Sequence, residues 1–73
     1  MVNDRIVLRT ASNLSFVGEV CASKLNDGEK GILLKPSRNS GVKIWCPEQE
    51  VQCIILKDGQ VLEGDDLKNE LGL

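Results

Sequence analysis

The chain has 73 residues, a formal charge of −2, three cysteines and no histidine. A domain of this size buries only about 60% of the surface that its unfolded chain exposes, so its small core needs a disulfide, a metal or self-association for support. The lack of histidine and of any Cys-x-x-Cys pair among Cys21, Cys46 and Cys53 argues against a metal site. The near balance of basic and acidic residues argues against a sequence-independent nucleic-acid coat. With a metal site disfavoured and disulfides rare in the cytoplasm, self-association is the favoured support for the core.

The sequence also predicts a cytoplasmic protein. Its N-terminus, residues 1–5, has no apolar stretch behind a basic patch, and no run approaches the roughly 20 apolar residues of a membrane span. In a reducing compartment the three cysteines are expected to be buried thiols, with a reactive thiol as the alternative. We expect no cofactor, no membrane partner and no small-molecule substrate.

The first half of the chain predicts three strands, at Arg5–Thr10, Leu14–Ala22 and Gly31–Leu34. Polar residues at 11–13 and the Asn-Asp-Gly segment at 26–28 predict the turns between them. The second strand alternates with period 2 and has Gly18 at a predicted bend. The third run stops at Pro36, because proline cannot donate to a strand ladder.

The second half predicts three more strands, at Val42–Cys46, Val51–Leu56 and Val61–Leu62. A loop at 37–41 precedes the first of them, and Pro47 ends it. Asp58-Gly59 indicates a tight hairpin turn in which both central residues have positive φ. The β-structure is therefore expected to run from about residue 4 to about residue 62.

The last element is predicted to be a short helix at about 65–72. Asp65 and Asp66 suit a helix N-terminus, Leu67 and Leu71 lie four apart on one stripe, and Gly72 is a suitable C-terminal cap. The sequence thus predicts a single domain, 1–73, that is mostly β: a small five- to six-stranded barrel of SH3-like or Sm-like type with a short C-terminal helix.

Two spaced motifs stand out, at Asn13–Gly18 and at Val51–Leu56. Their spacing resembles that of the Sm-like superfamily, which includes the LSm and Hfq proteins. Asn13–Gly18 is similar to the first motif of that family, with asparagine in place of the turn glycine. Asp27 then precedes the apolar run 31–34 at the family's spacing, and Val51–Leu56 resembles the second motif. The resemblance implies a cyclic homo-oligomer in which edge strands of neighbouring copies pair, with single-stranded RNA as the ligand.

The resemblance also implies a set of RNA-binding residues. The positions that match the family's RNA-binding pocket are Asp27, Gly31 and Gln52. RNA-binding relatives have asparagine where this chain has Gly31 and arginine where it has Gln52. The pocket therefore lacks two of the side chains that usually hold the base. The possible phosphate contacts are Lys35, Arg38 and Lys43, and a solvated loop is the alternative interpretation of this basic group.

The chain carries no recognisable catalytic constellation, so we expect a binding protein and not an enzyme. In the alternating pattern of this strand, Val42, Ile44 and Cys46 point to the core and Trp45 points to the opposite face. A large aromatic side chain on that face predicts a role in an interface. The rival to an RNA-binding ring is an SH3-like protein-interaction or assembly module, for example of phage or mobile-element origin. A third reading is a thiol-dependent enzyme in which Lys43 or Arg38 lowers the pKa of a cysteine.

Overall fold

The structure, a computed structural model, describes residues 2–25, 27–37, 39 and 41–71. These residues form six strands and one helix, which confirms the predicted mostly β fold with a short C-terminal helix. The elements in chain order are β1 (Arg5–Thr10), β2 (Ser15–Lys24), β3 (Lys30–Lys35), β4 (Ile44–Pro47), a 3-10 turn (Glu48–Glu50), β5 (Val51–Ile55), β6 (Val61–Leu62) and α1 (Gly64–Glu70). The strands form one antiparallel sheet in the order β4-β3-β2-β1-β5-β6.

The described residues form an open sheet and not a closed barrel, a point that the sequence left undecided. Among the described residues, β4 pairs only with β3 and β6 only with β5, which leaves these two strands at opposite edges. The cause is the hairpin after β5. It returns β6 onto Ile54 and Ile55, and so covers the side of β5 that closure onto β4 would need.

β2 connects the two halves of the sheet. Its first half pairs with β1 and its second half with β3, with register shifts between Val20 and Lys24. Gly18 lies at the change of partner, where a bend was expected. A Cβ at this position would lie 2.6 Å from the carbonyl oxygen of Lys35, so only glycine allows β2 to approach the end of β3 this closely.

One face of the sheet carries the core, because alternate residues of each strand point the same way. Leu67 of α1 and Leu71 just after it add the predicted helical stripe to this core, while the proposed cap Gly72 lies outside the described residues. The buried members of the core are Ile6, Leu8, Val20, Ile32, Leu34, Cys46, Val51, Ile54, Leu62, Leu67 and Leu71.

Two hairpin turns share one sequence pattern, Leu-x-Asp-Gly, at 25–28 and 56–59. In both turns the glycine N–H donates to the leucine carbonyl at 2.9 Å, and the aspartate carboxylate accepts the N–H two residues further on. The glycines have φ values of 89° and 90°, whereas Asp58 is not in the left-handed region. The prediction of positive φ at both Asp58 and Gly59 is therefore wrong at Asp58, because a three-residue hairpin loop needs left-handed backbone only at its last residue.

Candidate binding surfaces

The residues predicted to bind RNA are divided between the two ends of the β3–β4 pair. Gly31 pairs with Pro47 at one end, whereas Lys35 lies at the other, four residues along β3 or about 13 Å away. Asp27 is in the exposed turn before β3, where its carboxylate accepts the N–H of Glu29 at 2.9 Å. This hydrogen bond gives the aspartate a structural role in the turn.

Gly31, one of the three predicted pocket positions, has no room for a side chain. A Cβ here would contact the carbonyl oxygen of Cys46 and would lie 2.9 Å from two ring carbons of Trp45. The indole therefore covers the glycine, as aromatic residues do for glycines in the strands of designed sheets. Gln52, the other pocket position, is exposed near the start of β5. Trp45 therefore occupies the space that a side chain at position 31 would need.

Replacing Gly31 by alanine is expected to lower the free energy of unfolding by about 1–3 kcal/mol, because the methyl group overpacks against backbone and indole. Trp45 is the only tryptophan of the chain, so its emission reports the displacement directly. Urea denaturation followed by fluorescence measures both effects. Gly41→Ala is the matched control, since a Cβ at Gly41 meets nothing within 4 Å. Equal stability of the two variants would contradict the close contact.

Trp45 and one of the predicted phosphate contacts, Lys35, lie on the outer face, the face of the sheet opposite the core. Trp45 pairs with Leu33, and continuing this register by one residue beyond its last pair, Leu34–Ile44, puts Lys43, which precedes β4, beside Lys35. We call these three residues, Trp45, Lys35 and Lys43, the tryptophan–lysine surface. Glu19 pairs with Lys35 on its other side and brings a carboxylate close to the group. Arg38 lies outside the described residues.

A second surface on the outer face did not emerge from the sequence. Val7 pairs with Val17 on one side and with Ile55 on the other, and Ile55 pairs in turn with Val61. These four side chains form a continuous line across β2, β1, β5 and β6, which we call the outer apolar row. Val17 and Val61 are each 49% exposed. Period-2 alternation places Val17 opposite the core, but only the strand pairing shows that four such residues meet.

Charges of both signs surround the outer apolar row. A shallow depression of about 490 Å³ is lined by three residues of the row, Val7, Val17 and Ile55. Its charged lining residues are Asp4, Arg5, Glu19 and Lys57. Arg5 and Glu19 are register partners next to the Val7–Val17 pair. Arg9 flanks the row on its other side, where it pairs with Cys53. The rim is therefore polar and nearly balanced in charge.

The three cysteines are free thiols. Burial, with a smaller contribution from the Glu50 carboxylate, raises the pKa of the Cys46 thiol, which disfavours the reactive thiolate. Cys46 and Cys53 are buried, and Cys21 is partly exposed. Within the described residues, no group of three or more Cys, Asp or Glu side chains is placed to hold a metal ion.

Among the described residues, no helix has the length and hydropathy needed to cross a membrane. The Sm-like resemblance, the cyclic ring and the RNA ligand stay predictions. Comparison of the chain with protein-family models, with curated proteins and with solved structures gives no match.

Proposed function

We propose that this protein is a non-catalytic binding module that contacts another protein chain through the outer apolar row. The supporting observation is the register that aligns Val17, Val7, Ile55 and Val61 on the face away from the core. An antiparallel sheet with one face on its core normally carries polar side chains on the other. A contiguous apolar line with a polar rim is instead typical of an interaction site.

The character of the rim favours protein over RNA as the partner. Protein interfaces have an apolar centre within a polar border, whereas RNA sites need an excess of positive charge and bases to stack. Beside the row, Arg5 and Lys57 are offset by Asp4 and Glu19. The row itself contains aliphatic side chains only, so it offers no stacking platform.

Single-stranded RNA is the second candidate ligand, and the tryptophan–lysine surface favours it. An aromatic side chain beside two lysines is the combination that holds a base and its phosphates. A fluorescence titration of Trp45 with short U-rich and A-rich RNA tests this candidate. Salt-sensitive quenching that Lys43→Ala weakens would support it, and unchanged emission would remove it.

The proposed cyclic ring would form by pairing of the edge strands of neighbouring copies, which here are β4 and β6. β4 has four residues and ends at Pro47, and β6 has two residues. Short edge strands and prolines limit pairing between chains, so any ring contact through these edges would be small. The mass in solution tests the ring, which requires five to seven copies.

The protein-binding proposal is tested by comparing two exposed aliphatic positions. Val17 is 49% exposed within the row, and Leu14 is 55% exposed in the preceding turn, outside it. A tagged chain is purified from the cells that produce it, as wild type, Val17→Lys and Leu14→Lys. We expect a stoichiometric protein that Leu14→Lys retains and Val17→Lys loses. Retention by both variants, or recovery of nucleic acid alone, would contradict the proposal.

A further inference from the structure

We infer that a second copy of this chain packs face to face on the outer apolar row, in a two-fold dimer. This inference rests on the proposed function, since it names a partner for the same face. A two-fold axis running along the row places each row against its own copy. Every position of the row is Val or Ile, and the axis places each residue against the same residue of the second copy. All contacts along the row are therefore between aliphatic side chains.

The charges on the two sides of the row select one orientation of the dimer. The β1–β2 register places Glu19 and Arg5 on one side of the row, and Lys57, in the turn after β5, lines the same depression as these two residues. Arg9 lies on the other side, and continuing the β5–β6 register by one residue puts Glu63, which has extended backbone, beside Cys53 on that side. A two-fold axis along the row turns the second copy over. The Arg5 side of the first copy then lies against the Arg9 side of the second. With no rotation between the sheets, Arg5 would face Arg9 of the second copy, which is unfavourable.

Packed sheets, however, cross at about 30°. At about 7 Å from the axis, such a rotation offsets the two copies by about 3.5 Å, or about three-quarters of the strand spacing of about 4.8 Å. In one sense of rotation, Glu19 then faces Arg9 of the second copy and Lys57 faces its Glu63. In the opposite sense, Lys57 faces Arg9, so the first sense is favoured. The same offset between the two copies therefore produces both opposite-charge pairs, Glu19 with Arg9 and Lys57 with Glu63.

The size of the face fits a weak dimer. Four strands span about 19 Å, and the row with the positions that flank it on β2, β1 and β5 spans about 20 Å along the strands. This footprint is about 380 Å² on each copy, so the dimer buries on the order of 800–1,000 Å² in total, below the usual size of stable interfaces. The chain exposes 4723 Å², so each copy would cover only a small part of its surface. The second sheet also supplies the extra burial that a 73-residue core needs.

Sedimentation equilibrium tests the dimer with the wild-type chain and two variants. We expect the wild type, an 8.0 kDa chain, to sediment at twice that mass at tens of micromolar concentration. Val17→Lys is expected to raise the dissociation constant at least tenfold, and Leu14→Lys to leave it unchanged within about twofold. Circular dichroism establishes that each variant is folded. A monomeric wild type at about 0.5 mM, or a dimer that Val17→Lys leaves intact, would overturn the inference.

Charge reversal tests the orientation. In one copy Lys57 and Glu63 lie on opposite sides of the row, so they do not pair with each other. We expect Lys57→Glu and Glu63→Lys each to weaken the dimer about threefold to tenfold, and the double variant to recover most of that loss. Additive weakening in the double variant would refute this orientation.

The outcomes separate this inference from the proposed function. A monomeric wild type that captures a cellular protein, lost only in Val17→Lys, would overturn the dimer and support the proposed function. A dimer sensitive to Val17→Lys, with cellular contacts unaffected by that change, would support the dimer and contradict binding of a different protein. A mass of five to seven copies that Val17→Lys leaves unchanged would overturn the dimer in favour of edge pairing.

Discussion

Replacing Leu8 by alanine is expected to lower the free energy of unfolding by about 2–5 kcal/mol, the range for aliphatic core truncations. Leu8 is fully buried at the centre of β1, between Phe16 of β2 and Ile54 of β5. Its removal leaves a cavity that three paired strands cannot close without breaking their register. A small domain has little stability in reserve, so the variant should be partly unfolded at room temperature.

Leu14→Ala is the matched control, because Leu14 is the same residue type and is 55% exposed. We expect its effect to stay within about 0.5 kcal/mol. Urea denaturation of both variants with a common m-value gives the comparison. Similar losses at the two positions would mean that Leu8 is not the buried centre of the sheet.

Replacing Gly18 by alanine is the second large expected effect, again a loss of about 1–3 kcal/mol or more. The added methyl group would lie 2.6 Å from the Lys35 carbonyl oxygen and 3.0 Å from a side-chain carbon of Leu34. Because the nearest atom belongs to the backbone, relief requires β2 and β3 to separate. Urea denaturation measures the loss, and Gly41→Ala again serves as the neutral control. A stable Gly18→Ala variant would show that β2 does not need this close approach.

Local sequence patterns predicted most of the strands because each depends on residues a few positions apart. β1 and β6 have the predicted bounds, and Asn13 has the left-handed φ of 70° for which asparagine is suited. β4 begins at Ile44 and not at Val42, which is 62% exposed and lies before the strand. Alternation continued through Val42, so the pattern alone could not give the boundary.

Features that depend on distant residues could not be read from the sequence. Barrel closure depended on which side of β5 the last hairpin would cover. The contact of Trp45 with Gly31 depended on the β3–β4 register, which places the tryptophan two pairs away from the glycine and on the same face of the sheet. The outer apolar row likewise required the pairing of four strands. In each case the pairing of distant strands decides which residues meet.

The two Leu-x-Asp-Gly hairpins bear on the order in which the sheet assembles. Each closes a loop of only three residues, so β2 with β3 and β5 with β6 can pair at little entropic cost. β1 and β5, by contrast, bring residue 7 to residue 55 and join the two ends of the chain. Pairing at such sequence separation slows folding. The union of β1 with β5 is therefore the natural rate-limiting step, and it is the event that first creates both the centre of the core and the outer apolar row.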